Sequence, residues 1–124
     1  MTHPLLYQVN TRVWLQERGA ALNRQATLDD VPDAFIDEVA GRGFQWIWWL
    51  GVWQTGAAGR AISRADAKLR AALQLALPDL REQDITGSPF AVTGYRVHDD
   101  FGGDAALRRL RERLARRGLK LLLD

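Results

Sequence analysis

The segment FQWIWWL, at 44–50, most constrains what this chain can fold into, because it is apolar except for one residue. Glycines stand on both sides of it, at Gly43 and Gly51. An apolar run of this length between glycines favours a strand that is buried on both faces, which is typical of a parallel sheet. Parallel strands are joined by crossover connections, so the flanking sequence should supply helices.

The sequence before this run completes one strand–helix–strand unit. Residues 5–15 alternate polar with apolar side chains and predict a strand, and 16–27 predict a polar connection. A helix is expected to begin at Pro32 and to end at Gly41 and Gly43, with acidic residues near the positive end of its dipole. Two strands joined by one helix in this way should lie parallel in one sheet.

The following part of the chain does not continue this pattern and predicts a long insertion after the second strand. Residues 51–60 are rich in glycine and predict a loop, 64–77 predict a helix that ends at Pro78, and 89–92 form a short apolar patch. An insertion of about fifty residues is far longer than the 2–6 residues of an ordinary connection of this kind. We interpret it as a lid or a pocket wall, the alternative being a decorative insertion.

The regular pattern returns near the end of the chain. Asp104 is predicted to cap a helix over 105–117, Gly118 to lie just past its end, and 119–123 to form a third buried strand. The order of strand, helix, strand, insertion, helix and strand predicts an α/β fold. It is the opening either of a doubly wound sheet or of a (β/α)₈ barrel.

The predicted helices can cover only one side of the predicted sheet. Right-handed connections place both crossover helices on the same face, whereas a parallel sheet needs both faces covered. In a barrel the remaining strands cover the second face, and a complete barrel takes about 250 residues. We therefore expect 1–124 to form the N-terminal part, strands one to three, of a partial (β/α)₈ TIM barrel rather than a finished domain.

Composition excludes several classes of protein. A hydrophobic content of 47% and a charged content of 26% are typical of a globular domain and exclude a disordered chain. The absence of cysteine excludes disulfides and Cys-based metal centres. No apolar run approaches the roughly 18 residues of a membrane-spanning helix, so no membrane partner is expected. The segment MTHPLLYQVN lacks the basic and apolar parts of a secretory signal, which predicts a cytoplasmic protein.

Six arginines lie between Arg108 and Arg117, the densest charge cluster in the chain. Binding of nucleic acid would favour arginines on one face with aromatic side chains among them, and this helix has no aromatic residue. The net charge of only +2 gives no further reason to expect a nucleic-acid partner. A solvated outer face of an amphipathic helix is the favoured interpretation, with binding of an anionic partner as the alternative.

Two other groups have both a structural and a functional interpretation. Residues 98–100, His-Asp-Asp, suggest a metal site, but adjacent side chains of an extended segment point to opposite sides, so a hydrogen-bonded loop is favoured. The tryptophans Trp46, Trp48 and Trp49 suggest a platform for a sugar. Because they lie within the predicted buried strand, packing in the core is favoured instead.

Four short pieces near the end of the chain occur in a fixed order: Gly94-Tyr95, Phe101-Gly102, Arg117-Gly118-Leu119 and Asp124. In this order and spacing they resemble the region leading into the first conserved motif of glycoside hydrolase family 13, the α-amylase superfamily. Upstream, YQVNTRVWL and GFQWIWWLGVWQTG are similar to the first and second barrel strands of that family. The resemblance therefore covers nearly the whole chain.

The resemblance implies how this chain would bind a sugar. Tyr95 corresponds to the tyrosine that stacks against the sugar unit to be cleaved. Asp124 corresponds to the first aspartate of the family's Asp-x-x-x-Asn-His motif, at the end of the third strand. Trp53, in the predicted loop after the second strand, is the best tryptophan for a further sugar contact. The implied substrate is an α-glucan or oligosaccharide, whose α-glucosidic bonds the parent family hydrolyses or transfers with retention.

The same resemblance implies that this stretch contains no catalytic residue. The family's nucleophile, acid/base and third carboxylate follow later strands and match nothing here, and the motif's Asn and His would follow Asp124. No cofactor or metal site is expected in this stretch, although the full-length enzyme could hold a structural calcium. The alternative is a small, complete α/β module that binds an anionic partner through the Arg108–Arg117 helix.

Overall fold

The computed structural model describes residues 3–124. Met1 and Thr2, the first residues of the segment that lacks a secretory signal, lie outside the described residues. The strands are β1 (Leu6–Asn10), β2 (Trp46–Leu50), β3 (Trp53–Thr55), β4 (Val92–Val97) and β5 (Lys120–Leu122). The helices are α1 (Thr11–Leu22), α2 (Asp33–Gly41), α3 (Ala57–Ala65), α4 (Ala67–Ala76) and α5 (Gly103–Ala115). Short 3₁₀ turns occur at Leu28–Asp30, Glu82–Asp84 and Asp99–Phe101.

These residues form two compact units. The first, called the sheet unit, comprises the described chain up to Val52 together with Arg96–Asp124, and it contains β1, β2 and β5. The second unit is Trp53–Tyr95 and contains β3, α3 and α4. The second unit falls within the predicted insertion, so this long connection has helices and paired strands of its own.

The sheet unit is built on a parallel three-stranded sheet in the order β1-β2-β5. The register pairs Tyr7 with Ile47, and Ile47 with Leu121. Helix α2 begins directly after Pro32 as predicted, and α5 supplies the second crossover helix. The prediction of an α/β fold with three parallel strands is therefore confirmed.

Helix α1 replaces the second half of the first predicted strand and most of the polar connection after it, so this part of the prediction is wrong. The alternation of polar and apolar residues continues through Arg12 and does not mark where the strand ends. The strand ends because the Asn10 side chain accepts a hydrogen bond from the Val13 amide and caps the helix. The buried residues of α1 are then four apart, at Thr11, Leu15 and Gly19.

Two predicted elements of the insertion are also corrected. The predicted loop at 51–60 contains β3 and the start of α3, and the predicted helix over 64–77 is two helices separated at Asp66. The Asp66 carboxylate accepts hydrogen bonds from two amides in the first turn of α4 and so starts a new helix. The apolar patch at 89–92 leads into strand β4.

The start of α5 differs from the prediction as well. The residue that precedes the helix is Gly102, in the left-handed region with a φ of +100°, and not Asp104. The Asp104 carboxylate instead accepts a hydrogen bond of 2.8 Å from the Val97 amide. It therefore ties the first turn of the helix to the chain that leads into it.

One face of the sheet is covered by helices α1 and α2. Ile47 and Trp49 of β2 are fully buried on this face. The Trp49 ring meets the ring of Trp14 in α1 at a centroid distance of 5.6 Å and that of Phe35 in α2 at 6.4 Å. Aromatic contacts between the strand and both helices therefore form the centre of the core.

The opposite face, called the open face, is largely exposed. Its residues are Leu6, Gln8, Asn10, Trp46, Trp48, Leu50, Lys120 and Leu122, of which Leu50 is buried. Leu6 is 45% and Leu122 38% exposed, and Trp46 and Trp48 are half-buried. The predicted burial of β2 on both faces thus holds for the helix-covered face and, on the open face, for Leu50. The prediction that β5 is a buried strand is wrong, because Lys120 and Leu122 are exposed and Leu121 is only partly buried.

A ladder of arginine–aspartate ion pairs joins α5 to α2 and to the 3₁₀ turn before it. The three arginines are spaced four residues apart, and so are the three aspartates. Each set therefore lies along one face of its part of the chain. The pairs are Arg109–Asp29 at 2.8 Å, Arg113–Asp33 at 2.8 Å and Arg117–Asp37 at 2.6 Å. The prediction of a solvated outer face holds for Arg108, Arg109, Arg111 and Arg116, which are exposed, whereas Arg113 and Arg117 are partly buried in their ion pairs.

Acid is expected to destabilise the sheet unit by protonating Asp30 and the ladder residues Asp29 and Asp33. The Arg24 guanidinium, which donates two hydrogen bonds to Asp30, lowers the pKa of that carboxyl to about 2. Hydrogen bonds within the ladder lower the pKa of Asp29 and the pKa of Asp33 in the same direction. A carboxyl whose pKa is lower in the folded chain than in the unfolded chain contributes stability above its ordinary pKa. That stability is lost as the pH falls towards the folded pKa.

Thermal unfolding followed by circular dichroism should therefore show a midpoint that is constant above about pH 5 and falls between about pH 5 and about pH 2. For Asp30 we expect a contribution of about 1 kcal/mol, because Arg24 is 56% exposed and solvent screens the pair. Asp30→Asn should remove this part of the pH dependence, whereas Glu38→Gln, on the exposed side of α2, should keep it. A midpoint that does not move down to about pH 2 would contradict the prediction.

Candidate functional site

Polar side chains gather at the carboxyl end of the open face. The rows across the sheet are Leu6–Trp46–Lys120 and, next to it, Gln8–Trp48–Leu122. Asn10 pairs with Leu50 in the following row, and Asp124, two residues after Leu122, continues that row. Two polar residues, Asn10 and Asp124, therefore lie where the parallel strands end, which is the end of such sheets that binds ligands.

Asp124 is held at this end by two N–H groups. Its Oδ1 atom accepts a hydrogen bond of 2.9 Å from the Gly51 amide and one of 3.3 Å from Trp48 Nε1. Gly51 has a φ of +74°, a left-handed conformation that glycine adopts without strain. The residue is exposed at the edge of the sheet, where a carboxylate can accept a hydrogen bond from a hydroxyl group.

In the second unit, the two aromatic residues selected from the sequence lie side by side. The rings of Trp53 and Tyr95 meet edge to face with their centroids 5.4 Å apart. The prediction that Trp53 lies in a loop is wrong, because it belongs to β3, which pairs with β4. The Thr93 hydroxyl donates a hydrogen bond to the Gln54 carbonyl between these strands. Tyr95 is 81% exposed, so its ring is accessible to a ligand.

The structure thus brings two of the three predicted site residues together. Trp53 and Tyr95 form an aromatic pair in the second unit. Asp124 belongs to the sheet unit, where Trp48 and Gly51 donate hydrogen bonds to it. The second unit therefore presents an exposed aromatic pair, and the sheet unit presents a carboxylate at the end of its parallel sheet.

Residues 98–100 form a hydrogen-bonded turn, as predicted. His98 Nδ1 accepts a hydrogen bond from the Asp100 amide at 3.1 Å, and the imidazole packs on Phe101 at 5.2 Å. The Asp100 carboxylate lies 3.5 Å from the Arg12 guanidinium. Within residues 3–124, no group of three or more His, Cys, Asp or Glu side chains is arranged to hold a metal ion.

Trp48 and Gly51 are the site residues that the sequence analysis missed. The apolar run predicts Trp48 to pack in the core, and Gly51 is predicted only to end the strand. Trp48 and Asp124 are 76 residues apart, a separation that local periodicity does not report. The available signal was the strand period of two, which places Trp48 on the face opposite Trp49.

Comparison of the chain with protein-family models, with curated proteins and with solved structures gave no match. The case for a function therefore depends on the residues and their geometry. None of the helices between His3 and Asp124 combines the length and the apolar character needed to cross a bilayer.

Proposed function

We propose that this chain is the N-terminal part of the catalytic (β/α)₈ barrel of a family 13 glycoside hydrolase or transglycosylase. Such an enzyme acts on the α-glucosidic bonds of α-glucans or oligosaccharides with retention. The observation that carries the proposal is the open face, with Asn10 and Asp124 at the carboxyl ends of its strands. In a barrel the remaining strands pack on this face, and the active site lies at the carboxyl ends. A cytoplasmic location belongs to the same proposal.

The order of the strands fits the opening of a barrel. Neighbours in a barrel follow chain order, and β1, β2 and β5 do so. Helices α1 and α2 pack on one face of β2, around Trp49, which leaves the open face for the remaining strands of a barrel. The apolar members of the open face, among them Leu6 and Leu122, are suited to contact further strands.

The proposed roles follow from the chemistry of the side chains. The exposed ring of Tyr95 is suited to stack against the C–H face of a sugar, with Trp53 supporting it from the edge. The Asp124 carboxylate is suited to accept a hydrogen bond from a sugar hydroxyl. Neither role requires a cofactor.

Titration of the purified chain with maltoheptaose should quench its tryptophan fluorescence in a saturable way. Tyr95→Ala should weaken this binding by about fivefold to tenfold, because one aromatic–sugar contact of about 1 kcal/mol is lost. Phe90→Ala is the matched control, since Phe90 is another exposed ring of the second unit, at 59%. Equal affinities for both variants, or the absence of saturable quenching, would contradict the proposal.

The chain by itself should release no reducing sugar from α-glucans. Retaining glycosidases need two carboxyl groups about 5–5.5 Å apart, one to attack and one to transfer the proton. No carboxylate of this chain matches either role by its position in the family's motifs. Incubation with soluble starch measures the release, a complete family 13 amylase is the positive control, and turnover above a vector blank would contradict the prediction.

The alternative of an anion-binding module is weakened by the arginine–aspartate ladder. Arg109, Arg113 and Arg117 are paired with aspartates of the sheet unit, so half of the cluster is already neutralised. A salt-sensitive complex with nucleic acid would favour this alternative, because such binding releases counterions. A coding sequence that continues past Asp124 into Asn-His within about six residues, followed by further strands, would favour the enzyme.

A further inference from the structure

Two N–H groups from the end of β2 converge on a single oxygen of Asp124. The Gly51 amide donates to Oδ1 at 2.9 Å, and the Trp48 indole N–H donates to the same atom at 3.3 Å. Hydrogen bonds to an ionised carboxylate are about twice as strong as those between neutral groups. This contact joins the edge strand β5 to the central strand β2 beyond the last residues that pair in the ladder.

The register explains why Trp48 reaches this carboxylate. Side chains alternate along β2, so Trp49 points to the helices and Trp48 to the open face. Trp48 pairs with Leu122, which lies one row before Asp124 on the same face. An indole is long enough to extend over one row, and its N–H is its only polar atom, so the ring packs on the sheet while the N–H meets the carboxylate.

Two donors that meet one oxygen restrict the rotation of the Asp124 carboxylate about its side-chain bonds. A ligand hydroxyl is bound more tightly by an acceptor that is already oriented, because less conformational freedom is lost on binding. Trp46 lies on the same face of the same strand but two rows before Asp124, against Lys120. Only one of these two tryptophans is therefore placed to orient the acid.

We propose that Trp48 is a positioning residue for Asp124: its indole N–H, together with the Gly51 amide, orients the carboxylate at the end of the sheet for a ligand hydroxyl. The identity of the ligand as a sugar rests on the proposed function. The contact and its orienting role rest on the geometry of the sheet unit alone. The experiment below therefore tests the role without any sugar.

The test compares ¹H–¹⁵N spectra and amide hydrogen exchange of the whole chain in four forms: the parent, Trp48→Phe, Asp124→Asn and the double variant. In Trp48→Phe the Gly51 amide resonance should move towards its position in Asp124→Asn, and its exchange should accelerate. In the double variant, Asp124→Asn should change the Gly51 amide by less than it does in the parent, because part of the contact is already lost. Trp46→Phe is the matched control and should leave the Gly51 amide unchanged.

A Gly51 amide that is unaffected by Trp48→Phe would overturn the proposal. So would independent, additive changes in the double variant, because they would mean that Trp48 only packs on the sheet. If Trp48→Phe disturbs resonances throughout the sheet, the ¹H–¹⁵N spectrum of Asp124→Asn alone tests the proposal. In that spectrum the indole N–H resonance of Trp48 must move upfield while those of Trp14, Trp46 and Trp49 stay in place, and an unmoved Trp48 resonance would overturn the proposal.

The maltoheptaose titration separates this proposal from the proposed function. Coupling between Trp48 and Asp124 without any sugar binding would reject the sugar as ligand and support the positioning role. Sugar binding that Trp48→Phe leaves unchanged, together with an unaffected Gly51 amide, would reject the positioning role and support the proposed function.

Discussion

Replacement of Trp49 by alanine should lower the free energy of unfolding of the sheet unit by about 3–5 kcal/mol. Trp49 is fully buried, and its ring contacts Trp14 and Phe35 from the two helices that cover the sheet. Truncation removes these contacts and leaves a cavity between strand and helices that the core fills only in part. A loss of this size is a large fraction of the stability of an ordinary domain. Urea unfolding followed by circular dichroism measures it.

Trp49→Phe separates the effect of volume from that of the indole N–H. The Trp49 Nε1 atom is buried and has no hydrogen-bond partner among the described residues. A buried donor without a partner costs about 1–3 kcal/mol, so its removal offsets part of the lost packing. We expect Trp49→Phe to cost less than about 2 kcal/mol, and Trp46→Phe on the open face less than about 1 kcal/mol. Equal losses for Trp49→Ala and Trp49→Phe would contradict this account.

Replacement of Gly102 by alanine should cost about 2–6 kcal/mol. The φ of +100° lies in the region that residues with a side chain rarely adopt, which accounts for about 1–3 kcal/mol. A Cβ atom at this position would also lie 2.7 Å from Cβ of Ala106 and 3.2 Å from Cβ of Thr27. Relief of that overlap needs a shift of the backbone at the start of α5, at a further cost of about 1–3 kcal/mol.

The adjacent glycine provides a matched control for this prediction. Gly103 also has a positive φ, +71°, but a Cβ atom there would meet nothing within 4 Å. Gly103→Ala should therefore cost only the conformational part, about 1–2 kcal/mol. Thermal or urea unfolding of both variants gives the comparison, and equal losses at the two positions would show that the overlap with Ala106 and Thr27 does not matter.

Gly102 also shows what one piece of the family resemblance means physically. The Phe101-Gly102 pair ends the 3₁₀ turn that precedes α5. Phe101 is buried, and glycine is needed after it because of the positive φ and the close approach of Thr27. This piece of the resemblance therefore describes how the chain enters the helix, whereas Tyr95 and Asp124 are each proposed to bind a sugar.

Much of the fold could be predicted because it depends on neighbours in the sequence. The apolar run before Gly51 predicts β2, and Pro32 predicts the start of α2. The start of α1 could not be predicted in this way, because polar and apolar residues alternate across the boundary. Thr11, its first residue, is buried and donates a hydrogen bond of 2.8 Å to the Leu50 carbonyl, a contact that exists only once the sheet has formed.

The candidate site could be predicted only in part for the same reason. Tyr95 and Asp124 were selected through the resemblance, and the structure adds the partner of each, Trp53 at 5.4 Å and Trp48 at 3.3 Å. The resemblance assigns no role to Trp48. The hydrogen bond of Trp48 to Asp124 depends on the register between β2 and β5, which a comparison of sequences does not report. A shift of one residue would turn its side chain to the helices.

The amino-acid sequence by itself determined the α/β class and the three parallel strands, because apolar runs, periodicity and helix-ending residues act over a few neighbours. Only the tertiary structure decided which charges and polar groups meet. Asp29 and Arg109 are 80 residues apart, and Trp48 and Asp124 are 76 residues apart. Such pairs form where strand register and helix packing bring one turn or one row opposite another, and no local pattern encodes that match.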